Sequence, residues 1–495
     1  MKEIAAVVLT GLFICLNTFS QSAEYKINEL ISAYAENGQF NGTILVIKNE
    51  DIIYKNAFGL ANREWNVPNT IDAKFLAGSI GKSITAFMTL ILVNDGLIDL
   101  NATINEYIPD YSGPGKNKAT IHQMLTHTSG IPDHGSIPNL SKKLVRWTYN
   151  TDQYLTLIKD LDLKFEPGTG FSYSGIAYNL LAIICEKVSK KDFDDLLKER
   201  LFIPLGMNNS KHDKNLDIDI KRAYGYEYHL LEGYMNPSFI DMSLIKGSGG
   251  ILTTVEDLAK FNDECFNSQK LLSKDLYKKI FTRYVKDWQY YGYGWWSTDK
   301  VVGHDSLTLI SHGGSTDGYK AYSTRILNDS IDIILFQNNY YRTELGVKFD
   351  YAITSEIIDI LHGVGYSLPK KSIAKDLGYI IGQNGIDVAI EKYPALKNDN
   401  RYFIDEDEFN QLGKELNQNY GMEDESSKIY VLAIHEYPNS FLLNYSYGEL
   451  LSENKSEKAL DYYRKCTQLY DKYSENKEFS KEYENALKKI KENKL

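Results

Sequence analysis

The strongest constraint on the fold comes from two apolar hairpin patterns that lie far apart in the chain. Residues 40–48 and 52–59 are apolar segments that flank a short polar turn at 49–51. Residues 320–326 and 331–336 repeat this arrangement much later in the sequence. Such pairs predict antiparallel strands joined by tight turns. We therefore expect strands from both ends of this region to complete one antiparallel sheet, flanked by helices.

The segment after the first hairpin carries a serine and a lysine one helical turn apart. Ser79 and Lys82 lie within residues 75–86, where a turn of small residues opens an apolar helix that continues to Asn94. Side chains at i and i+3 share a helix face, so a neutral Lys82 amine can take the Ser79 proton. Free N–H groups at a helix N-terminus also stabilise an oxyanion. This pattern predicts acyl transfer through a covalent serine ester.

The Ser-x-x-Lys spacing carries little weight without its setting, because it recurs in this chain. It also begins at Ser243, Ser297, Ser367, Ser372, Ser452 and Ser474. Only Ser79 is followed by further blocks in a meaningful order. These are residues 120–132, residues 165–181 with Tyr173 just before an apolar helix, residues 249–257, and residues 310–319 with paired glycines that let a substrate lie against a strand edge.

Together these five blocks resemble the serine β-lactamase and penicillin-binding-protein superfamily. The most similar branch contains class C β-lactamases, D-alanyl-D-alanine carboxypeptidases, D-aminopeptidases and related esterases. The resemblance covers about residues 25–360. It implies an α/β (α+β) fold in which an antiparallel sheet is flanked by helices and accompanied by a helical lobe of about residues 80–220, with the active site in the cleft between them.

The resemblance also implies roles for individual residues. Ser79 matches the nucleophile, Lys82 its lysine partner, and Tyr173 a tyrosine that acts as base or proton shuttle. The run His312, Gly313, Gly314 matches the element on the strand that lines the cleft. The backbone N–H groups of Ser79 and Ser315 would form the oxyanion hole.

Two positions of the resemblance need separate comment. Gly175 stands where the family usually has an asparagine that contacts the lysine and the substrate amide, so recognition of amides is the property most affected. His127, in Leu-Thr-His-Thr-Ser-Gly, looks like a hydrolytic histidine, but that block is structural in the family. We therefore leave His127 out of the predicted catalytic set.

Length and composition limit the class of protein further. A chain of 495 residues predicts two or three domains. Its net charge of −11 disfavours nucleic acid as a partner, because phosphates bind basic surfaces. The four cysteines lack metal-ligand spacing, and Cys185 and Cys265 lie in apolar helical contexts that predict burial. We expect no metal and no organic cofactor.

The N-terminal segment predicts export. Residues 1–22 contain a basic residue, a short apolar run and then small polar residues, which is typical of a signal peptide. An uncleaved anchor is the alternative. A periplasmic or secreted protein without a membrane span after cleavage is expected, from a bacterium if the resemblance holds.

The C-terminal segment changes character from about residue 370. Charged amphipathic helices replace the strand patterns, and Gly378, Gly413 and Gly448 recur at a spacing of 35 residues. This period resembles tetratricopeptide-type helical hairpins, in which small residues let paired helices approach closely. A plain helical bundle is the alternative. The predicted domains are thus a hydrolase at 23–365 and an all-α helical-repeat domain at 370–495.

These patterns favour an exported serine hydrolase that forms an acyl-enzyme on an ester, a D-amino-acid peptide or a β-lactam. A small molecule or a peptide would be its substrate. Two alternatives remain open: an acylated sensor that traps its ligand, and a non-catalytic platform whose helical tail binds a protein partner. The sequence does not choose among the three acyl donors.

Overall fold

The computed structural model describes residues 22–140, 144–285, 290–343, 345, 349–470 and 479–492. The predicted signal peptide therefore lies, except for its last residue, outside the described residues. Within them, no helix combines the length and the apolar content that a membrane crossing requires.

The strands are short except in one large sheet. In chain order they are β1 (Gly42–Lys48), β2 (Asp51–Phe58), β3 (Leu60–Asn62), β4 (Val67–Pro68), β5 (Phe75–Leu76), β6 (Lys211–His212), β7 (Tyr226–His229), β8 (Gly233–Met235), β9 (Ile251–Thr253), β10 (Tyr290–Tyr291), β11 (Trp296–Val302), β12 (Asp305–Thr316), β13 (Tyr319–Ile326), β14 (Ile331–Gln337), β15 (Asn339–Tyr341), β16 (Lys371–Ser372) and β17 (Tyr402–Phe403).

The helices fall before, between and after these strands. In chain order they are α1 (22–36), α2 (Gly81–Asn94), α3 (Ile104–Tyr107), α4 (Ile121–Leu125), α5 (Thr151–Ile158), α6 (Gly175–Ser189), α7 (Phe193–Leu197), α8 (Ile203–Leu205), α9 (Val255–Asp263), α10 (Lys274–Ile280), α11 (Phe349–Leu361), α12 (Ile373–Asn384), α13 (Ile386–Lys397), α14 (Glu406–Gln418), α15 (Glu423–Glu436), α16 (Phe441–Glu453), α17 (Ala459–Leu469) and α18 (Ser480–Glu492).

The large sheet joins strands from both ends of the hydrolase-like region. It has seven antiparallel strands in the order β10-β11-β12-β13-β14-β1-β2, and β1 pairs with β14 so that Ile44 lies opposite Leu335. The turn between β1 and β2 places Asn49 and Glu50 at φ 50° and 71°, the left-handed conformation of tight hairpin turns. The predicted antiparallel sheet and both predicted hairpins are confirmed.

Helix α2 runs through the middle of the first core. Every residue from Gly81 to Leu92 is buried, and a helix that is covered on all sides needs neighbours around its whole circumference. Its neighbour α6 is buried over a similar length, from Gly175 to Cys185. The ring of Phe75 on β5 stacks on Phe336 of β14 with centroids 5.8 Å apart. This packing fixes the start of α2, and hence Ser79 and Lys82, relative to the sheet. Cys185 and Cys265 are buried in the same core, as predicted.

The chain divides into two compact units. The first comprises the described residues within Met1–Glu227, Asn236–Tyr340 and Lys348–Leu368. The second comprises those within Tyr228–Met235, Tyr341–Val347 and Pro369–Leu495. The second unit thus contains the C-terminal helices together with two short segments from earlier in the chain.

Glycines of the 35-residue period mark close approaches in the second unit. A Cβ on Gly413 of α14 would lie 2.6 Å from the Tyr430 ring of α15, and one on Gly448 of α16 would lie 3.0 Å from the Tyr463 ring of α17. Gly378 of α12 instead approaches Leu230, where a Cβ would lie 2.4 Å from the leucine side chain. The helix pairs are therefore present, whereas their assignment to the tetratricopeptide class stays a prediction.

Truncation after Pro369 should destabilise the remaining chain. Leu230 and Leu231 are buried in the second unit, where Gln383 also donates to the Leu231 carbonyl at 2.9 Å. Removing α12 exposes both leucines, and each buried leucine contributes roughly 1.5–3 kcal/mol. We expect a lower melting temperature and aggregation, measured by calorimetry and light scattering.

The matched control for this truncation is the same shortened chain with Leu230→Ser and Leu231→Ser. It should stay monodisperse, because the newly exposed apolar surface is gone. Equal aggregation of both shortened chains would contradict the explanation.

Candidate active site

Ser79 lies on a tight turn that feeds directly into α2. The turn is a 3-10 segment, Gly78–Ile80, and Ser79 is half-buried between two buried neighbours. Gly78 has φ 51°, and a Cβ there would lie 2.6 Å from the Ser315 nitrogen. Only glycine permits this conformation and this approach together. The turn therefore holds Ser79 close to the end of strand β12.

Lys82 is buried, and its amine lies at the Ser79 hydroxyl. Nζ is 3.0 Å from Ser79 Oγ, and it donates to the Ser248 carbonyl at 2.8 Å. Burial lowers the pKa of Lys82 to about 7, although the charge of Asp133 acts in the opposite direction. A large fraction of the amine is therefore neutral near neutral pH and can accept the Ser79 proton.

Tyr173 completes the cluster over the lysine. Lys82 Nζ lies 4.7 Å from the centroid of the Tyr173 ring. Burial raises the pKa of Tyr173 well above its ordinary value, and a hydrogen bond with Ser79 opposes that shift. The same environment thus favours a neutral amine and a neutral phenol. The two pKa values are thus displaced in opposite directions, a pattern typical of paired acid and base groups in active sites.

The strand side of the site is formed by β12. A Cβ on Gly314 would lie 1.8 Å from the Ala77 carbonyl oxygen and 3.2 Å from the Ser79 nitrogen. This contact and the approach of Gly78 to Ser315 bring the backbone nitrogens of Ser79 and Ser315 to the same edge of the turn. Backbone N–H groups beside a nucleophile are the kind of donor from which oxyanion holes are built.

His312 is buried with both ring nitrogens engaged by the protein. Nδ1 lies 2.7 Å from the Gly313 carbonyl, to which it donates, and Nε2 then accepts from the Tyr291 hydroxyl at 3.1 Å. Burial and the nearby charge of Lys82 lower the pKa of His312 to about 3. The imidazole is therefore neutral, and it links β12 to Tyr291 of β10.

A cavity of about 430 Å³ opens above these groups. Its lining comprises Ser79, Tyr173, Trp296, His312, Gly313, Gly314, Ser315, Lys320, Ala321 and Tyr322. The structure thus brings six of the seven predicted site residues to one cavity, and the seventh, Lys82, lies directly behind Ser79.

A second Ser-x-x-Lys pair lines another cavity but is chemically different. Ser243 and Lys246 border a space of about 380 Å³. The Ser243 hydroxyl donates to Asp241 at 2.6 Å, and Lys246 forms an ion pair with Glu186 at 2.8 Å. Neither side chain engages the other, so this pair lacks the base and nucleophile contact that Ser79 has.

Sequence reasoning missed the residues that hold Tyr173 in place. His127, which was left out of the catalytic set, is fully buried with its ring centroid 4.3 Å from that of Tyr173, and its Nδ1 accepts from the Ser174 N–H. Trp296 stacks on Tyr173 at 6.2 Å with an interplanar angle of 13°. The Thr-His-Thr-Ser-Gly block was a signal for His127, whereas nothing local distinguished Trp296.

Gly175 leaves no empty space where the family has asparagine. A Cβ at this position would lie 2.8 Å from the His134 ring and 3.1 Å from Asp133 Oδ1. The Gly175 N–H donates to that carboxylate at 2.7 Å. The loop that contains Asp133 and His134 therefore fills the space that a side chain at residue 175 would take.

The Gly314→Ala substitution should separate the strand from the nucleophile turn. Its Cβ would meet backbone atoms of Ala77, which cannot move without displacing Ser79. We expect a loss of about 1–3 kcal/mol in the free energy of unfolding together with slower acylation.

Gly313→Ala is the matched comparison for Gly314→Ala. Its Cβ would lie 3.3 Å from the Tyr322 ring and 3.9 Å from the Ala321 carbonyl oxygen, with no backbone atom as close as at Gly314. A smaller fall in melting temperature is expected for this variant. Equal melting temperatures for the two variants would contradict the close approach at Gly314.

An antiparallel sheet between helices, with a Ser-Lys-Tyr cluster held against one inner strand, defines the β-lactamase/transpeptidase-like superfamily. The chain belongs to the Beta-lactamase family, whose sequence model matches residues 27–353. The family consists of serine hydrolases with penicillin-binding-protein, D-aminopeptidase and β-lactamase members.

Three relatives illustrate the range of similarity. Penicillin-binding protein 4* of Bacillus subtilis (strain 168) is 28% identical over 386 residues, which cover 75% of this chain and 82% of that protein. A D-aminopeptidase of Gluconobacter oxydans (strain 621H) is 23% identical, covering 77% and 70%. The octameric penicillin-binding protein homologue from Pyrococcus abyssi superposes with a TM-score of 0.59 at 27% identity, covering 69% of this chain and 77% of that one.

Proposed function

We propose that this protein is an exported serine hydrolase that acts through an acyl-enzyme on Ser79. Lys82 takes the Ser79 proton as Oγ attacks the substrate carbonyl, and the backbone N–H groups of Ser79 and Ser315 hold the oxyanion. The proton then passes, through Lys82 and Tyr173, to the leaving group. A water molecule attacks the ester in the second half of the reaction and regenerates the serine.

The observation that carries this proposal is the contact between a buried amine and the serine hydroxyl. Lys82 Nζ lies 3.0 Å from Ser79 Oγ, and burial lowers the pKa of this lysine to about 7. A serine is a weak nucleophile until a base removes its proton. A buried lysine with a lowered pKa in contact with a serine hydroxyl therefore favours catalysis over inert binding.

We propose that a simple ester or a small D-amino-acid peptide is a better substrate for this site than a penicillin. Gly175 supplies no amide side chain to donate to the acyl amide of a β-lactam, and the surrounding space is filled by His134. One such hydrogen bond contributes about 0.5–1.5 kcal/mol, or roughly two- to tenfold in rate. The D-aminopeptidase relative is compatible with the peptide option.

A panel of three acyl donors tests the proposal. The purified protein would be assayed with a phenyl ester, a D-alanyl-D-alanine peptide and a chromogenic cephalosporin, beside a Ser79→Ala control. We expect hydrolysis of the first or second donor to exceed that of the third. Absence of turnover on all three donors would overturn the proposal, and efficient β-lactam hydrolysis would overturn the substrate order.

The lifetime of the acyl-enzyme distinguishes a hydrolase from an acylated sensor. Intact-protein mass spectrometry after a short exposure to each donor shows an adduct in either case. In a hydrolase the adduct decays within the turnover time, whereas in a sensor it persists for hours. Tyr173 beside Ser79 and Lys82 favours turnover, because a proton carrier is in place for deacylation.

The proposal also covers the helical tail and the cellular location of the protein. The paired helices of the second unit are compatible with a tetratricopeptide-like array that docks a protein partner. Export rests on residues 1–22. Fractionation of cells that carry the full chain tests the location, and recovery in the cytosol would overturn it.

A further inference from the structure

The loop that follows β6 presents three aliphatic side chains to the solvent. Leu216 and Ile218 are each 97% exposed, and Ile220 is 78% exposed. Among the described residues, no other large apolar side chain is as exposed as the first two. Single exposed apolar residues are common on protein surfaces, but a group of them close together in the chain indicates a binding surface. We call Leu216, Ile218 and Ile220 the apolar tip.

The charged side chains of the same loop are held in ion pairs with the protein. The buried Asp213 carboxylate pairs with Arg222 at 3.0 Å. Lys214 pairs with Asp194 of α7 at 3.1 Å. Surface loops normally show the opposite arrangement, with apolar groups covered and charged groups in water. The loop therefore binds its charged groups to the protein and leaves its aliphatic groups outside.

Both sides of the apolar tip are anchored to neighbouring segments. The Asn215 side chain donates to the Ile240 carbonyl at 2.9 Å and accepts from the Met242 N–H at 2.8 Å. On the other side, the Lys221 carbonyl accepts from the Lys74 N–H at 2.8 Å. The exposure of the tip is therefore a property of a fixed loop.

We propose that the apolar tip inserts into the interfacial layer of a phospholipid bilayer and holds the hydrolase at a membrane surface without crossing it. Side chains that are almost wholly exposed protrude, and a fluid acyl layer can close around such a protrusion. Lys214 and Lys221 lie before and after the tip, with side chains that are 57% and 55% exposed. Ion pairs this exposed contribute little to stability, so either amine can contact a lipid phosphate instead. Aliphatic groups framed by lysines thus match both the acyl chains and the phosphates of a bilayer surface.

The expected strength of this binding follows from the size of the apolar tip. Its side chains contain about a dozen carbon atoms, close to one myristoyl chain, which alone binds membranes reversibly with an association constant of about 10⁴ M⁻¹. The net charge of −11 opposes attraction of the whole chain to anionic lipids. We therefore expect weak, reversible binding to phosphatidylcholine surfaces.

Sedimentation with phosphatidylcholine vesicles tests the proposal. The mature chain that export would leave, from residue 23 onward, is used so that the apolar run of residues 1–22 does not itself bind lipid. We expect this protein to sediment with the vesicles, and the combined changes Leu216→Ser, Ile218→Ser and Ile220→Ser to lower its partition constant about tenfold or more. Ester hydrolysis without vesicles should be unchanged, because none of the three residues lines the Ser79 cavity.

A triple variant at other exposed positions is the matched control. It carries Ile52→Ser, Ile203→Ser and Val301→Ser, which remove exposed aliphatic groups from β2, α8 and β11. Lipid binding should be unchanged in this control, because its three positions belong to separate elements. Ile218→Asp is a single change at a side chain with almost no contacts. It should weaken binding as well, and it keeps the test valid if the triple change in the tip disturbs folding.

Three results would overturn the inference. The first is the absence of lipid binding by the unaltered protein, and the second is equal binding by the two triple variants. The third is a dimer, detected by light scattering without any lipid binding and abolished by the changes in the apolar tip, which would show that the tip contacts a second copy of the chain. Lipid binding is measured without substrate, so its failure would leave the proposed acyl-enzyme chemistry untouched.

Discussion

Replacing Ser79 by alanine is expected to abolish both covalent labelling and hydrolysis. The Ser79 hydroxyl is in contact with the Lys82 amine and can form an ester, and the 3-10 turn holds it at the cavity. Loss of a serine nucleophile costs several orders of magnitude, here at least about 10³-fold in kcat/KM. A fluorescent phosphonate probe and the phenyl ester assay measure the two effects.

Ser315→Ala is the matched control for this variant. Ser315 lines the same cavity, but its proposed contribution is the backbone N–H, which alanine retains. Labelling and most of the hydrolysis should therefore survive. Hydrolysis at the original rate in Ser79→Ala, or equal losses in the two variants, would remove the assignment of the nucleophile.

The parts of the site and of the fold that depend on residues close together in the sequence were predictable. Ser79 and Lys82 are one helical turn apart, so their contact follows once the helix is recognised. The same is true of β1 and β2, whose turn residues Asn49 and Glu50 adopt the conformation that such a hairpin requires. Local spacing decides geometry in both cases.

The parts that depend on tertiary packing were not predictable. Trp296 meets Tyr173 because β11 lies beside β12 in the sheet, although 123 positions separate the two residues in the chain. Leu230 and Leu231 pack with α12 and α14 in the second unit, and no pattern near residue 230 indicates this. Such contacts depend on which surfaces are still uncovered once the main helices and strands have packed together.

Gly175 shows how one substitution is understood only with its surroundings. From the sequence it is a missing asparagine side chain. In the structure the space holds Asp133 and His134, and the Gly175 N–H donates to the Asp133 carboxylate. A variant that restores asparagine at residue 175 would first have to displace the His134 ring.

Burial shifts the pKa values of the ionisable groups in this site, and only some of these shifts bring a group near neutral pH. The pKa values of His312 and His127 both lie below the histidine range because the rings are buried near Lys82, so neither titrates near neutral pH. Burial moves the pKa of Tyr173 upward, away from the same range. Within this cluster, Lys82 is the group whose protonation changes close to pH 7.

The activity of the protein should therefore rise with pH and reach half its maximum near the pKa of Lys82, about 7. Below that pH the amine is an ammonium and cannot accept the Ser79 proton, whereas above it the free base is available. Lys82→Arg should lower kcat/KM by about 10²–10⁴-fold, because a guanidinium remains protonated at every accessible pH. Lys82→Ala should be equally severe if the lysine acts as a base, but more severe than Lys82→Arg if only its charge matters, because arginine keeps that charge. Rates measured between about pH 5 and 9 for the phenyl ester decide this, since a flat profile or a fully active Lys82→Arg variant would show that another group removes the proton.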